Sequence, residues 1–265
     1  MRSILFQLGP VPIRAYGFML WLGMMAGLYR TVRAARGTKI KAESVVDVVL
    51  YGILSGIVCA HLASILLNLP IYLKDSSGVL GLWQGIFSPG GGVRGLSFHG
   101  GLAGAVGAAY IYTRIKRIDF LSMLDLCAPG LAIAYGITRV GCFLNGCCYG
   151  IPASLPWAVQ FHIDGGFATT APSHPTQIYA MAASFAIFGL LTVVERRRRF
   201  TGEVFTSYLA LYSIYRFLNE FLRKGVTADV AFAGLTQAQI VSLVVLAASL
   251  AVLWVNRRRV AGDKR

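Results

Sequence analysis

Long apolar segments without charge constrain this chain more than any other feature. Residues 48–73, 95–113 and 176–194 contain no Asp, Glu, Lys or Arg. A helix needs about 20 mostly apolar residues to cross a bilayer. Only 14% of all residues are charged, against about 25% in an ordinary soluble domain. The pattern excludes a disordered chain, a coiled coil and an ordinary cytosolic enzyme, and it favours a membrane protein.

We predict an all-α membrane protein with seven transmembrane helices in a single integral membrane domain, residues 1–265. The spans are predicted near residues 15–33, 45–70, 97–114, 120–139, 176–194, 204–222 and 236–256, with extracytoplasmic loops at 70–94 and 141–175. Thr236 and Gln239 have the spacing of a capping box, which marks the start of the last span. The first twelve residues lack a small-residue cleavage site, so we expect no removable signal peptide.

The positive charges predict the orientation. The formal net charge is +14, and seventeen of the 25 Lys and Arg residues form four groups. These groups follow the first, third, fifth and seventh spans, at residues 30–41, 114–117, 196–199 and 257–265. Seven spans place all four on one side, and positive charge favours the cytoplasmic side. We therefore expect an outer N-terminus, a cytoplasmic C-terminus and no nucleic-acid partner.

Charged side chains inside the predicted spans are the candidates for function, because a charge at a bilayer centre costs at least about 2.5 kcal/mol. Arg216 and Glu220 are four residues apart and share a helix face. They form either a structural ion pair or an anion-binding arginine that Glu220 holds. Arg139 lies in the segment GITRVGCFLNGCCYG, residues 136–150. Its planar guanidinium suits phosphate, and Asn145 offers a donor and an acceptor.

A second polar cluster, GLSFHGG at residues 95–101, opens the third span. His99 in this cluster is a candidate general base, since its ordinary pKa of about 6.5 suits proton transfer near neutrality. The alternative is a helix cap or a packing residue. The flanking glycines favour the functional interpretation.

These segments make the chain resemble the prolipoprotein diacylglyceryl transferases of bacterial inner membranes. The resemblance runs nearly from end to end, through six segments in the same order: 14–17, 97–101, 136–150, 174–179, 215–223 and 235–239. It implies transfer of sn-1,2-diacylglyceryl from phosphatidylglycerol to the thiol of a lipobox cysteine, with a thioether product. The implied partners are phosphatidylglycerol, a prolipoprotein signal peptide with its lipobox Cys, and the bilayer of the bacterial cytoplasmic (inner) membrane. No metal or other cofactor is expected.

The resemblance also implies roles for individual residues. The implied catalytic residues are His99, Tyr16, Arg139, Arg216 and Glu220. The implied substrate-binding residues are Arg139, Asn145, Gly150, Arg216, Arg223, Gly100 and Gly101. Arg139 and Arg216 would hold the lipid phosphate, and Glu220 would orient Arg216. His99 and Tyr16 would activate the thiol or align the head group.

The chain differs from the family pattern at a few positions. Cys142 stands where the family has Asn, Cys147 where it has Glu, and Ala180 where it has Glu. A family Gly-Gly-Arg run in the second span is here Cys59-Ala60-His61. These changes favour a diverged branch. Two alternatives therefore stand beside the family reaction: a lipid transferase with another acceptor, and a non-catalytic lipid-binding or redox-sensing membrane protein.

Three interpretations of Cys142, Cys147 and Cys148 are open. Free cysteines are often simply buried. A disulfide is favoured by an oxidising compartment, with Cys142–Cys147 less strained than the adjacent pair. A reactive-thiol or zinc site, with help from His99 or His174, would activate a thiol. Against zinc, the spacing matches no standard zinc pattern.

Overall fold

The computed structural model describes residues 4–8, 11–67, 69, 97–163, 168–223, 230–232 and 234–262. The described helices are α1 (Ala15–Ala35), α2 (Ala42–Leu67), α3 (Phe98–Ile115), α4 (Phe120–Leu144), α5 (Thr176–Arg196), α6 (Glu203–Glu220) and α7 (Gln237–Gly262). Three short antiparallel hairpins accompany them: β1 (Ile4–Leu8) with β2 (Val11–Arg14), β3 (His162–Ile163) with β4 (Ala168–Thr169), and β5 (Val230–Phe232) with β6 (Leu235–Thr236). The predicted loop at 70–94 lies outside the described residues.

The chain divides into two compact units. The larger unit contains the described residues of Met1–Ala34 and Leu124–Arg265, and the smaller unit contains those of Ala35–Met123. In the larger unit an apolar core of Ala128, Ala132, Ile187, Leu191 and Val204 joins α4, α5 and α6. In the smaller unit α2 and α3 run antiparallel. The hydroxyl of Tyr112, near the end of α3, donates to Asp47, near the start of α2, at 2.6 Å.

Four of the described helices are long and apolar enough to cross a membrane: α2, α4, α5 and α7. Their outer faces carry exposed aliphatic side chains. Val58 and Leu62 on α2 are more than half exposed, as are Val241 and Val244 on α7. A soluble protein rarely exposes apolar patches of this extent, whereas lipid tails solvate them. The described chain thus has the helices and the surface of a membrane protein.

Close packing of α1 against α4 depends on small residues. A Cβ at Gly23 would come 2.6 Å from the carbonyl oxygen of Ala134, and a Cβ at Gly27 would come 2.6 Å from that of Gly130. Further along, a Cβ at Gly141 would lie 2.8 Å from Cβ of Met19. Small residues let helix backbones approach closely in membranes, where van der Waals packing drives association.

Ionic contacts gather at one end of the larger unit. Arg30 near the end of α1 pairs with Glu195 near the end of α5. Glu203 at the start of α6 pairs with Arg257 of α7 at 2.8 Å. The buried carboxylate of Asp125, near the start of α4, accepts from the backbone N–H groups of Gly202 at 2.7 Å and Phe205 at 2.8 Å. The ends of α1, α5 and α7 therefore meet the starts of α4 and α6, as an up-and-down arrangement requires.

The predicted all-α class is confirmed, and three short hairpins join or precede the described helices. The predicted start of the second outer loop needs correction. Helix α4 runs to Leu144, so residues 141–144 of the predicted loop are helical. The helix ends in a Schellman motif: the N–H of Gly146 donates to Phe143 O, and the N–H of Cys147 donates to Cys142 O. Gly146 has φ of +72°, which glycine adopts without steric cost. Gly146 is thus the residue that stops the helix.

Candidate active site

Arg139 is held by side chains of its own helix. Its guanidinium lies over the ring of Tyr135, 4.6 Å from the ring centre, and donates to the Tyr135 hydroxyl at 2.5 Å. Its other terminal nitrogen lies 3.8 Å from the sulfur of Cys142. Positions i−4 and i+3 share a helix face, so α4 itself builds this arrangement. A guanidinium has five N–H donors, and these contacts leave donors for an anion.

A tyrosine cluster links Arg139 to α6. The ring of Tyr135 makes edge contacts with Tyr212 and Tyr215, at centroid distances of 5.6 and 6.4 Å. Arg216 is the next residue of α6. Tyr135 therefore contacts Arg139 on α4 and also the turn of α6 that precedes Arg216.

Arg216 forms the ion pair that its spacing predicts. It pairs with Glu220, one turn later on α6, whose side chain is fully buried. The second carboxylate oxygen of Glu220 accepts from the Thr236 hydroxyl at 3.4 Å. Thr236 also forms the predicted capping box with Gln239, with N–H···O distances of 2.9 and 3.2 Å. Glu220 thus ties Arg216 to the start of α7.

The segment after α4 is fixed by backbone contacts that leave no room for a side chain at Gly150. A Cβ there would overlap Leu222 O and lie 2.8 Å from Thr176 Cγ2. The N–H of Gly150 donates to His174 O at 2.9 Å, and Gly150 forms a bridge with Arg223. The end of α6 and the start of α5 therefore enclose the loop.

The side chains that begin α5 hold the same loop. The Thr176 hydroxyl donates to Cys148 O at 2.6 Å, and the Gln177 amide donates to Cys147 O at 2.7 Å. Gln177 is 1% exposed, and its amide oxygen has no partner among the described residues.

Three cysteine sulfurs converge here. The sulfurs of Cys142, Cys147 and Cys148 all lie within 4.8 Å of one another, and all three residues are free thiols. Cys147 and Cys148 have sulfurs 3.5 Å apart. The pKa of the Cys148 thiol is lowered, because the thiols of Cys142 and Cys147 can donate to its sulfur and Arg139 adds positive potential.

The remaining expected residues of the larger unit border this region. The backbone of Tyr16 packs against Gly141, and the residue is 41% exposed. Asn145 is exposed at the end of α4. His174 has its Nδ1 atom 3.3 Å from the Tyr179 hydroxyl, which also accepts from the Trp157 indole at 2.8 Å.

The smaller unit holds the other expected residues. His99 is exposed in the first turn of α3, where Ser97 rather than His99 is the N-cap. A Cβ at Gly101 would come 3.3 Å from Ala60 Cβ, and one at Gly100 would come 2.7 Å from Cys59 O, so both glycines allow α3 to pack against α2. Both ring nitrogens of His61 are buried and have no partner among the described residues.

Sequence reasoning missed Tyr135, Thr176 and Gln177. Tyr135 precedes Arg139 by four residues, which is a usable signal for contact on a helix. The carbonyl contacts of Thr176 and Gln177 join residues about thirty positions apart, and no local pattern predicts such pairs.

The fold and the site define a helical membrane protein with partly buried arginines at a polar end. Comparison with known proteins gives its family. The family model for prolipoprotein diacylglyceryl transferase matches residues 3–255. A phosphatidylglycerol–prolipoprotein diacylglyceryl transferase from Geobacter sulfurreducens is 35% identical over 264 residues, covering 97% of this chain and 96% of the relative. One from Clostridioides difficile is 34% identical over 244 residues, covering 92% and 91%.

The chain therefore belongs to the prolipoprotein diacylglyceryl transferase family, a family of membrane transferases in lipoprotein biosynthesis. The resemblance inferred from the sequence motifs is confirmed.

Proposed function

We propose that this chain transfers the sn-1,2-diacylglyceryl group of phosphatidylglycerol to the lipobox cysteine thiol of a prolipoprotein. The reaction forms a carbon–sulfur bond at the glycerol carbon that carries the phosphate. The carbon–oxygen bond to that phosphate breaks, glycerol phosphate leaves with the electron pair, and the thiol proton goes to a base. The observation that carries the proposal is the linkage of Arg139 to the Arg216–Glu220 segment through the tyrosine cluster.

The leaving group explains why two arginines are needed. Negative charge develops on a phosphate oxygen as the bond breaks, and fixed donors stabilise such charge most in a site that excludes water. Arg139 and Arg216 are proposed to hold this phosphate, with Glu220 as the positioning residue for Arg216. A bidentate guanidinium suits phosphate better than an ammonium does.

The remaining roles rest on the resemblance to the family. His99 and Tyr16 are proposed to activate the acceptor thiol or align the head group. Asn145, Gly150 and Arg223 are proposed to shape the substrate-binding loop, and Gly100 and Gly101 to support the segment around His99. We propose that this branch binds its acceptor differently from the rest of the family, through His61, His174 and the three loop cysteines.

We also propose that the chain crosses the inner membrane seven times, with its N-terminus outside and its C-terminus in the cytoplasm. The up-and-down contacts of the larger unit support it, since Arg30, Arg196–Arg199 and Arg257–Arg259 belong to helix ends at its ionic end. Positive charge favours the cytoplasmic side. The opposite end, which carries Arg139 and the cysteine loop, then faces outward, where a lipobox cysteine arrives.

A lateral groove between α5 and α6 suits a lipid substrate. It has a volume of about 480 Å³ and is lined by apolar side chains, among them Ile187, Leu190 and Leu218, with Tyr179 and Asn219 toward one end. An acyl chain of phosphatidylglycerol is proposed to enter here from the bilayer, so that only the head group must reach the arginines.

Complementation tests the proposal. The chain is expressed in a strain depleted of its own transferase, and lipidated prolipoprotein is detected by mass spectrometry. We expect rescue by the unchanged chain, none by Arg139→Ala or Arg216→Ala, and rescue by the control Arg258→Ala, whose guanidinium stacks on Trp254 in α7. Absence of lipidated product despite full membrane levels of the unchanged chain would refute the proposal.

A further inference from the structure

The backbone conformation at the end of α4 fixes the positions of Cys142, Cys147 and Cys148. In the Schellman motif that ends α4, Cys142 is the third residue from the helix end and Cys147 is the second residue beyond the cap. This motif brings those two side chains together. Cys148 has a positive φ of 67°, so the chain reverses and its sulfur joins the other two.

The cluster is held by other elements, with no sulfur–sulfur bond needed. The side chains of Thr176 and Gln177 donate hydrogen bonds to the carbonyls of Cys148 and Cys147. Two residues further on, Gly150 packs closely against the backbone of Leu222. The three sulfurs therefore converge because the surrounding backbone directs them. Ligands held in advance are the requirement for a metal site of defined geometry.

The distances fit a tetrahedral metal ion. A zinc–sulfur bond is about 2.3 Å, so two sulfurs on one tetrahedral ion lie about 3.8 Å apart. The Cys147–Cys148 distance is 3.5 Å, and every pair in the cluster is within 4.8 Å. Cys142 is buried, whereas Cys147 and Cys148 are only partly buried, so the cluster has a covered side and an accessible side.

The charges also fit. Three thiolates and one divalent ion carry a net charge of −1. The guanidinium of Arg139 lies 3.8 Å from the Cys142 sulfur. A dication and this guanidinium together compensate three thiolates that would otherwise repel one another.

We propose that Cys142, Cys147 and Cys148 bind one zinc ion whose fourth position takes the thiol of the acceptor. Zinc sites with three protein ligands keep such a position open, and a thiol that coordinates zinc is deprotonated. This inference rests on the proposed function. The acceptor thiol replaces a water on the ion and gives its proton to the base of the proposed reaction.

The group transfer is then balanced. The zinc-bound sulfur supplies the electron pair for the new bond to the glycerol carbon, and the carbon–oxygen bond to phosphate breaks toward the oxygen. Arg139 contacts both the cluster and, by proposal, the departing phosphate, so nucleophile and leaving group are brought together. The thioether product is a weaker ligand and is replaced by water. Zinc is neither oxidised nor reduced.

Metal content tests the site without relying on activity. The full chain, purified in detergent with a histidine-free tag, is dialysed against excess zinc and then against zinc-free buffer. Mass spectrometry should find about one tightly held zinc per chain. Cys142→Ser, Cys147→Ser and Cys148→Ser should each lose most of it, whereas Cys127→Ser on the same helix should keep it. Equal zinc in all variants, or none in the unchanged chain, would overturn the proposal.

Two further measurements use the unchanged chain, so a variant that fails to fold does not affect them. Cobalt(II) loaded into the unchanged chain should give thiolate charge-transfer bands and tetrahedral ligand-field bands, which zinc abolishes. Zinc should also slow maleimide labelling of the cluster thiols at least tenfold. A disulfide among these three cysteines in the unchanged chain, with no cobalt spectrum after its reduction, would overturn the proposal.

The acceptor role is tested separately. A lipobox peptide should shift the cobalt spectrum, and the same peptide with serine at the lipobox position should not. If lipidation continues at full rate in metal-free enzyme or in Cys147→Ser, the zinc proposal fails and the proposed function stands. If the loaded chain binds cobalt through the three thiols but never lipidates peptide, the proposed function fails and the metal site stands.

Discussion

At the scale of single residues, Gly150 lies where the surrounding atoms leave no room for a side chain. A Cβ on Gly150 would lie within 3 Å of Leu222 O, Thr176 Cγ2 and His174 Cβ. We expect Gly150→Ala to lower stability by about 1–3 kcal/mol, because an added methylene in a filled site forces the backbone apart. The control is Gly189→Ala on α5, where a Cβ meets nothing within 4 Å and alanine favours the helix. Thermal unfolding in detergent measures both, and equal midpoints would contradict the packing assigned to Gly150.

Tyr135 gives a second prediction at this scale. Tyr135→Phe keeps the ring under Arg139 but removes the hydroxyl that accepts its hydrogen bond. A hydrogen bond to a charged group is worth about 1.5–3 kcal/mol, so we expect kcat/KM for phosphatidylglycerol to fall about tenfold or more. Tyr208→Phe, whose ring tilts against Tyr212, should stay within about twofold. Loss of activity in both variants alike would indicate general damage to the tyrosine cluster.

At the scale of elements, Asp125 stabilises a helix other than its own. It lies in α4, yet its carboxylate accepts two N–H groups at the start of α6, where the helix dipole also favours negative charge. We expect Asp125→Ala to cost about 1–2 kcal/mol, as loss of an N-cap does, and Asp125→Asn to cost less because one acceptor oxygen remains. Thermal unfolding should rank the unchanged chain above the Asn variant and the Asn variant above the Ala variant. A reversed order would show that the charge harms the fold.

The elements also show what a sequence can predict. The capping box of Thr236 and Gln239 and the pair of Arg216 and Glu220 were predictable, since both depend on spacing within one segment. The end of α4 was not, because Gly141, Gly146 and Gly150 all follow Arg139 closely, and of these three only Gly146 takes the left-handed conformation. The carboxylate of Asp125 in α4 binds the start of α6. Its partners lie 77 and 80 residues away, which no local pattern reveals.

At the scale of the whole molecule, the proposed topology is tested by reporter fusions. Fluorescent protein joined after Arg199 or Gly262 should fluoresce, because both positions are predicted to be cytoplasmic. Alkaline phosphatase should be active when joined after Gln160 and inactive at the other two positions. Active phosphatase after Gly262 would reverse the orientation and place the cysteine loop in the cytoplasm.

The central claim is a transfer from lipid to thiol, and reconstitution tests it most directly. The purified chain is mixed with phosphatidylglycerol and a synthetic lipobox peptide, and products are followed by mass spectrometry. We predict a peptide with one added diacylglyceryl group on its cysteine and glycerol phosphate released in equal amount, with both absent for Arg139→Ala and for a peptide with serine in place of cysteine. A folded chain that binds phosphatidylglycerol but yields neither product would contradict the account.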